Sequence, residues 1–293
     1  MTHHDIPQRP VSLSTESLGS LMSWVTWARL ARNPGDGAAA ASVTPFTAVT
    51  AVTFGDPTAL TAWDRLRPAG IQTLSAPTDD PPTDVIELLK AGASLADAAV
   101  DGGADLVIPV LAHSAASTHT AAAAAVCVLV PTEPGWALGF ERRLAAAGEH
   151  DTAYLDDGRW MQRCRQVRDL SWRARTLGAE QLLAELGDPQ FTILVGLLRQ
   201  LAERTTPVLL DGAITAAAAL VASRFNLFAP QSYFAPQRHG DAAERFALDA
   251  LGLEPVADLG LRCGHGMGAL ILLPLLQTAL AAAGSPDATS AAE

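Results

Sequence analysis

Apolar and polar residues follow two periods along the chain, and the period changes at glycine, proline and aspartate. Apolar residues at helical spacing over 18–32 predict a helix that ends at Asn33-Pro34-Gly35. A β-branched run over 47–54 predicts a strand that ends at the turn Gly55-Asp56-Pro57. The same rhythm of strand and helix continues to residue 283.

The pattern predicts further strands over 71–75, 105–110 and 207–210, and further helices over 59–66, 83–101, 120–130, 159–186 with a break at Gly178, 190–204, 213–223, 242–251 and 269–283. Strands that alternate with helices are typical of βαβ units. We therefore predict an α/β fold with a doubly wound, mostly parallel sheet flanked by helices and a small helical N-terminal portion. We expect a tail and helical segment over 1–46, one α/β domain over 47–283 and a disordered tail over 284–293.

Composition and charge narrow the class of protein. The chain has 293 residues, of which 49% are hydrophobic and 17% charged, so it can bury a large core. A net charge of -11 would repel a phosphate backbone, and we expect no nucleic-acid partner. No apolar run reaches the roughly 18 residues that a membrane helix needs, and the run 268–283 is predicted to be a buried helix.

The start of the chain and its cysteines bear on cellular location. Residues 1–14 contain no basic patch followed by an apolar core, so we expect no secretory signal and a cytoplasmic protein. The three cysteines, Cys127, Cys164 and Cys263, lie far apart without CxxC spacing. We expect them to be reduced and buried, with neither a disulfide framework nor a zinc site.

Three loops are the candidate ligand-binding segments. In open α/β sheets the ligand lies beyond the carboxyl ends of the strands, where loops enter helices and expose backbone N–H groups. On that basis we expect residues 111–120, Asp211-Gly212 and the glycine-rich turn 264–268 to form the site.

Two segments resemble the nicotinate-nucleotide–dimethylbenzimidazole phosphoribosyltransferases of cobalamin biosynthesis. Residues 207–226, PVLLDGAITAAAALVASRFN, are similar to that family's P-V-L/V-L/V-D-G-F-x-x-S/T-A-A-A-L-x-A segment. Residues 248–276, LDALGLEPVADLGLRCGHGMGALILLPLL, align without gaps with its segment around R-L-G-E-G-S/T-G-A. The resemblance covers roughly residues 83–283 and implies transfer of phosphoribose from nicotinate mononucleotide to an aromatic nitrogen base.

Several positions depart from the family's pattern. His265 stands where the resemblance implies a catalytic glutamate that takes a proton from the attacking base. The phosphate loop G-E-M-G-I-G-N-T-T is replaced by residues 112–120, AHSAASTHT, and Gln190 stands for the glutamate of G-G-x-E. The stretch S-H-x-S-x-E-P-G-H is replaced by residues 236–244. Because added Cβ atoms obstruct positive-φ conformations, a close backbone approach to phosphate is harder here.

Each candidate residue has a functional and a structural interpretation. His265 is a general base or a non-catalytic histidine, and Asp211-Gly212 holds a ribose or a cation, or only caps a helix. Hydroxyl groups near the next helix hold a phosphate or only cap that helix; they belong to Ser114, Ser117, Thr118 and Thr120. The turn into the last helix faces a ligand through three residues, Gly264, Gly266 and Gly268.

Histidines and tryptophans offer two further possibilities. Four histidines fall at the implied rim of the site, but no short spacing demands a metal, and we expect none; they are His113, His119, His239 and His265. Three tryptophans could stack on an aromatic base, although helical spacing favours core packing; they are Trp24, Trp27 and Trp63.

Two functions remain open at this point. The first is a phosphoribosyltransferase that uses His265 as its base, needs no cofactor and binds nicotinate mononucleotide and an aromatic base. The second is a non-catalytic paralogue that acts as a binding or regulatory subunit of an active relative, because three functional positions depart together. The resemblance also implies a homodimer or a heterodimer with a related subunit.

Overall fold

The computed structural model describes residues 19–32, 44–55, 70–76, 81–111, 115–139, 157–261, 264 and 266–284. Its strands are β1 Val49–Phe54, β2 Gln72–Ser75, β3 Leu106–Leu111, β4 Val208–Leu209 and β5 Tyr233–Phe234. Its helices are α1 Leu21–Arg32, α2 Val85–Asp101, α3 Ala116–Leu129, α4 Pro134–Ala137, α5 Asp157–Ala174, α6 Ala179–Leu186, α7 Pro189–Glu203, α8 Ala213–Ala222, α9 Ala242–Leu251 and α10 Met267–Ala283, with a 3₁₀ turn at Ala229–Ser232.

The five strands form one parallel sheet in the order β2-β1-β3-β4-β5. Strand β1 pairs with β2 on one side and with β3 on the other, from Val49 opposite Leu106 to Phe54 opposite Leu111. The chain order therefore reverses between β1 and β3, which is the position where doubly wound sheets bind ligands at the carboxyl edge. The predicted α/β class and parallel sheet are confirmed.

Helices cover both faces of the sheet, and this explains why the strands read as continuous apolar runs. Along β3, Val107 and Leu111 join the core beneath helices α2, α3 and α5 to α9. The alternate residues Leu106, Ile108 and Val110 join a second core with α1 and α10. Because successive strand side chains point to opposite faces, one strand supplies both cores.

Helices α2 and α7 cross at glycine. A Cβ built on Gly92 would lie 2.0 Å from the carbonyl oxygen of Ile193, and one on Gly196 would lie 2.3 Å from that of Leu89. The two backbones are therefore in direct contact at this crossing. Any side chain larger than hydrogen at either position would force the helices apart.

Most element boundaries agree with the sequence predictions to within a few residues, and the structure differs from them at the start of α3 and in strand β5. Helix α3 begins at Ala116, four residues before the predicted start, and Ala115 is its N-cap without a side-chain bond. The predicted break at Gly178 is confirmed, since the segment 159–186 is divided into α5 and α6 with Gly178 as the N-cap of α6. Strand β5 was not predicted, since two residues are too short for a periodic signal. The predicted helix 59–66 lies outside the described residues.

The prediction that the last helix is buried is wrong for one side of α10, where Ile271 and Leu275 are 43% and 47% exposed. Cys127 and Cys164 are free thiols as predicted, but they are half-buried, and burial raises the pKa of Cys127 to about 12. Cys263 lies outside the described residues. Within the described part of the chain, no helix has both the length and the apolar character needed to span a bilayer.

Candidate active site

The Asp211-Gly212 loop and the turn before α10 meet at the carboxyl edge of the sheet. Gly212 has φ +96° directly after β4, and a Cβ built on Gly264 would lie 3.3 Å from the Cα of Gly212. Gly266 has φ +87°, and a Cβ there would lie 2.7 Å from Cγ2 of Val110 at the end of β3. Glycine is needed at Gly266 both for its backbone conformation and for this close approach.

The Asp211 carboxylate points across this edge to α10 instead of capping its own helix. Its Oδ2 accepts a 2.9 Å hydrogen bond from the Gly268 N–H, and Gly212, the N-cap of α8, has no side-chain cap. The backbone N–H of Asp211 donates to Oγ1 of Thr215, which in turn donates to the Gly212 carbonyl oxygen. The interpretation of Asp211 as a cap of the following helix is therefore wrong.

A buried histidine lies between two carboxylates beside this turn. Nε2 of His239 is 2.7 Å from Oδ1 of Asp211, and Nδ1 is 2.6 Å from Oε1 of Glu244. The backbone N–H of His239 also donates to Oε2 of Glu244 at 2.9 Å. The side-chain amide of Gln237 lies 2.6 Å from Nε2 of His239. All four residues are at least nine-tenths buried.

The two neighbouring charges decide the protonation of His239. Burial by itself lowers the pKa of His239, but the contacts and negative charges of Asp211 and Glu244 outweigh it and raise the pKa to about 10. The ring is therefore an imidazolium at neutral pH, and both of its nitrogens are donors. Nε2 of the ring therefore forms an ion pair with the Asp211 carboxylate at 2.7 Å, and the Gln237 amide lies beside the same nitrogen.

Three of the predicted hydroxyl residues lie within the first five residues of α3. Ser117 is exposed, whereas Thr118 is 1% exposed and donates to Oδ2 of Asp188 at 3.0 Å. Thr118 also contacts Oε1 of Gln190 at 3.2 Å, and Thr120 donates to the Ala116 carbonyl oxygen. A phosphate could use Thr118 and Thr120 only if their hydroxyl groups changed partner. Ser114 lies outside the described residues.

Asp188 ties this helix to the next layer. One oxygen accepts from Thr118, and the other accepts from the Phe191 N–H at 2.8 Å as the N-cap of α7. Gln190, in the first turn of α7, extends the same contact. Gln190 occupies the position where the resemblance implies a functional glutamate, and its side chain thus lies against the start of α3.

Tryptophan packing follows the core interpretation for the two residues that the structure describes. Trp24 is fully buried, donates from Nε1 to the Leu276 carbonyl oxygen at 2.9 Å and stacks on Trp27 with ring centroids 5.1 Å apart. Phe234 of β5 contacts both rings. These residues belong to the core under α1 and α10. Trp63 lies outside the described residues.

Two predicted histidines, His113 and His265, also lie outside the described residues, and His119 is half-buried on α3. Both ring nitrogens of His239 face carboxylates, so the charged ring has no lone pair for a metal. Among the residues that the structure describes, no group of three His, Cys, Asp or Glu side chains is arranged to hold a metal ion.

A cavity of about 290 Å³ lies at the opposite, amino edge of the sheet. It is lined mainly by apolar residues at the starts of β1 and β2 and on α10, including Phe46, Ile71 and Leu273. None of the predicted site residues lines it. We therefore assign the candidate active site to the carboxyl edge, where Asp211 and Gly212 contact Gly264 and Gly268.

The residues that sequence reasoning missed are Gln237 and Glu244, the neighbours of His239. From the sequence, the stretch 236–244 is only a departure from the family pattern, and His239 is one of four histidines at the rim. The signal consists of one histidine in the loop before α9 and one glutamate in the first turn of α9, but their spacing of five residues matches no general motif. Only the folded loop brings them onto Asp211.

Comparison with known proteins supports the family that the motifs suggested. A family model described as phosphoribosyltransferase matches residues 81–292. The chain is 40% identical over 196 residues to the nicotinate-nucleotide–dimethylbenzimidazole phosphoribosyltransferase of Streptomyces avermitilis, covering 66% of this chain and 49% of that protein. It is 36% identical over 214 residues to the enzyme of that name in Streptomyces coelicolor, covering 72% and 57%. The chain spans about half the length of these curated relatives.

The fold has a solved counterpart. The crystal structure of CobT from Thermus thermophilus superimposes with a TM-score of 0.71 at 20% identity, covering 94% of this chain and 92% of that chain. At this identity the likeness concerns the fold, and it agrees with the parallel sheet and helical layers described above.

Proposed function

Because the chain belongs to the nicotinate-nucleotide–dimethylbenzimidazole phosphoribosyltransferase family, we propose that it moves phosphoribose from nicotinate mononucleotide to an aromatic nitrogen base in assembly of the cobalamin nucleotide loop. The observation that carries the proposal is the meeting of Asp211 and Gly212 with Gly264, Gly266 and Gly268 at the carboxyl edge. These are the two segments in which the motifs are strongest. Ligands of doubly wound sheets bind at this edge.

The reaction is a displacement at the anomeric carbon of the ribose. A ring nitrogen of the acceptor base attacks C1′, and the bond from C1′ to the nicotinate nitrogen breaks. The electron pair of that bond stays on the nicotinate ring and neutralises its positive charge, so nicotinate is a good leaving group. The protein then has two tasks, which are to align the two rings and to remove the N–H proton of the attacking base.

We assign the proton transfer to His265. It lies between Gly264 and Gly266 in the chain, and a neutral imidazole with an ordinary pKa of about 6.5 accepts a proton readily near neutral pH. His239 cannot serve as this base, because its pKa of about 10 keeps it protonated. The two histidines therefore have different tasks, since one exchanges its proton and the other keeps its charge.

Backbone and hydroxyl donors supply the proposed contacts to the nucleotide. The first turn of α8 lacks a side-chain cap, which leaves its N–H groups and Gly212 for the ribose or phosphate. The first turn of α3 also lacks a side-chain cap, and Ser117 is exposed there. We assign the phosphate to α3, with Ser114 as a further donor. Thr118 and Thr120 would join it once their hydroxyl groups turn away from Asp188 and the Ala116 carbonyl oxygen.

Nicotinate release measures the activity directly. The purified chain is incubated with nicotinate mononucleotide and 5,6-dimethylbenzimidazole, and free nicotinate is quantified by chromatography. We expect release that depends on both substrates. His265→Ala should lower turnover by about 10²- to 10⁴-fold, the usual contribution of a general base. Glu203→Gln, at an exposed ion pair at the end of α7, is the control and should leave turnover unchanged.

The pH profile identifies the base. With histidine as base, the acid limb of kcat/KM should lie at higher pH than in His265→Glu, which should retain turnover, because an imidazole takes up its proton at higher pH than a carboxylate. Turnover that is unaffected by His265→Ala would refute the assignment to His265. Calorimetric binding of either substrate without nicotinate release would refute the enzyme and favour the non-catalytic subunit.

A further inference from the structure

The stretch 236–244, which runs from a loop into the first turn of α9, contacts one end of the segment that leads into α10 directly and the other end through Asp211. At the first end, the Arg238 N–H donates to the Ala257 carbonyl oxygen at 3.0 Å, and the Ala257 N–H donates to that of Pro236 at 3.2 Å. At the second end, Asp211 accepts from the Gly268 N–H while its other oxygen faces His239. Ala257 is thus held by this stretch directly, and Gly268 is held through Asp211.

The contacts at the second end run in a defined order. Glu244 binds His239 twice, through the ring Nδ1 and through the backbone N–H, and this sets the position of the ring. The ring in turn fixes the position of Oδ1 of Asp211, and Oδ2 of Asp211 fixes the position of the Gly268 N–H. Each side chain in this order is therefore held by the one before it.

The two buried negative charges require the cationic ring of His239 to lie between them. Asp211 and Glu244 are 0% and 1% exposed, and two buried carboxylates near one another are unstable without a cation between them. The imidazolium of His239 is that cation. Without it, Asp211 would have to turn toward water or bind a proton, and either change would weaken its bond to Gly268.

Close packing at Gly268 also links the cluster to α10, independently of charge. A Cβ built on Gly268 would lie 2.2 Å from Nε2 of Gln237 and 2.6 Å from Oδ1 of Asp211. The cluster therefore touches the backbone of α10 without any intervening side chain. A small movement of His239 or Gln237 is transmitted directly to the first turn of this helix.

We propose that His239 is a positioning residue, which bridges Glu244 to Asp211 and thereby holds Gly264, Gly266 and Gly268 in place at the carboxyl edge. It acts on the turn and makes no contact with the nucleotide. The consequence for turnover rests on the proposed function. The consequence for the Gly268 N–H does not, because that group's hydrogen bond is part of the fold.

Hydrogen exchange of the Gly268 amide is the direct readout. The first N–H groups of a helix lack intrahelical partners, so protection of this amide reports the Asp211 bond. In the folded, full-length His239→Gln variant we expect NMR to show that the Gly268 amide exchanges about tenfold faster than in the parent protein. This change follows from the loss of one such hydrogen bond. Amides of α2 and α7 should change only as far as global stability changes.

Two more variants separate positioning from a general structural role. Glu244→Gln keeps an acceptor for Nδ1 but removes one charge, and we expect the Gly268 amide to exchange faster there too, even if His239→Gln does not fold. Tyr233→Phe is the matched control, because it removes a buried hydrogen bond to the Leu198 carbonyl oxygen without touching the cluster. It should leave the Gly268 amide unchanged relative to other core amides.

The outcomes are distinct. Faster exchange confined to the Gly268 region in both cluster variants supports the proposal. An unchanged Gly268 amide, or an equal acceleration of all core amides in the cluster variants and in Tyr233→Phe, overturns it. If the protein releases nicotinate, kcat should also fall about tenfold in His239→Gln, as expected for loss of one hydrogen bond at the turn. If it releases none, the proposed function fails while the exchange result still decides the role of His239.

Discussion

Gly268→Ala tests the contact between the first turn of α10 and the buried cluster. The new methyl carbon would lie 2.2 Å from Nε2 of Gln237 and 2.6 Å from Oδ1 of Asp211, well inside ordinary contact distance. Both side chains are fully buried and held by His239, so they cannot swing away. The amide of Gln237 would have to retreat by roughly 1 Å in a close-packed region.

The size of the effect follows from three contributions. Overpacking of this kind costs about 1–3 kcal/mol. Loss of the 2.9 Å hydrogen bond from Gly268 to a buried carboxylate costs about 1.5–3 kcal/mol. The better helix propensity of alanine offsets up to about 1 kcal/mol. We therefore expect the free energy of unfolding to fall by about 1.5–5 kcal/mol.

Urea denaturation followed by circular dichroism measures this change. The midpoint should fall while the m-value stays the same, as expected for lost stability without a change in compactness. Gly178→Ala is the control, because φ there is -68° and a Cβ would meet only Oε1 of Gln181 at 3.8 Å. If Gly268→Ala shifts the midpoint no more than Gly178→Ala does, the close contact with Gln237 and Asp211 is refuted.

Three further changes test other parts of the structure. Because the pKa of His239 is raised to about 10 in the folded state, its contribution to stability should be complete below about pH 6.5 and should be lost as pH rises through about 10. Urea titrations across that range should therefore show the free energy of unfolding of the parent protein falling with pH more steeply than that of His239→Gln. Gly196→Ala should lower the free energy of unfolding by about 3 kcal/mol, since its Cβ would strike the Leu89 backbone; a midpoint like that of the parent protein would contradict the helix crossing. Asp188→Ala should cost about 2–4 kcal/mol by removing the α7 cap and the partner of Thr118, whereas Asp188→Asn, which retains a cap, should cost less in the same assay.

The architecture was largely predictable, because it depends on local periodicity. Apolar runs such as 105–110 are typical of strands covered on both faces, and the intervening helices have apolar stripes of the right period. Gly178 and Asp188-Pro189 correctly marked the starts of α6 and α7. Strand β5 escaped prediction because two residues carry no period, and it forms only where β4 offers an edge.

The site was predictable in part. Asp211-Gly212 and the glycine turn were expected at the same edge, since carboxyl ends of parallel strands lie together, and the structure places their described residues in contact. The function of the Asp211 side chain was not predictable. A carboxylate after a strand is compatible with a helix cap, a ligand contact or an ion pair, and local sequence does not distinguish among them.

The sequence by itself determined the parallel α/β plan, the motifs that indicate the family, and the positions of the two loops that form the candidate site. These features depend on short-range spacing and on residue types that can be compared one by one. Only the tertiary structure decided that His239 lies between Asp211 and Glu244 and that Gly268 must lack a side chain. Both follow from distances between residues that are far apart in the chain, where burial sets the cost of an unpaired charge and backbone contact leaves no space for a methyl group.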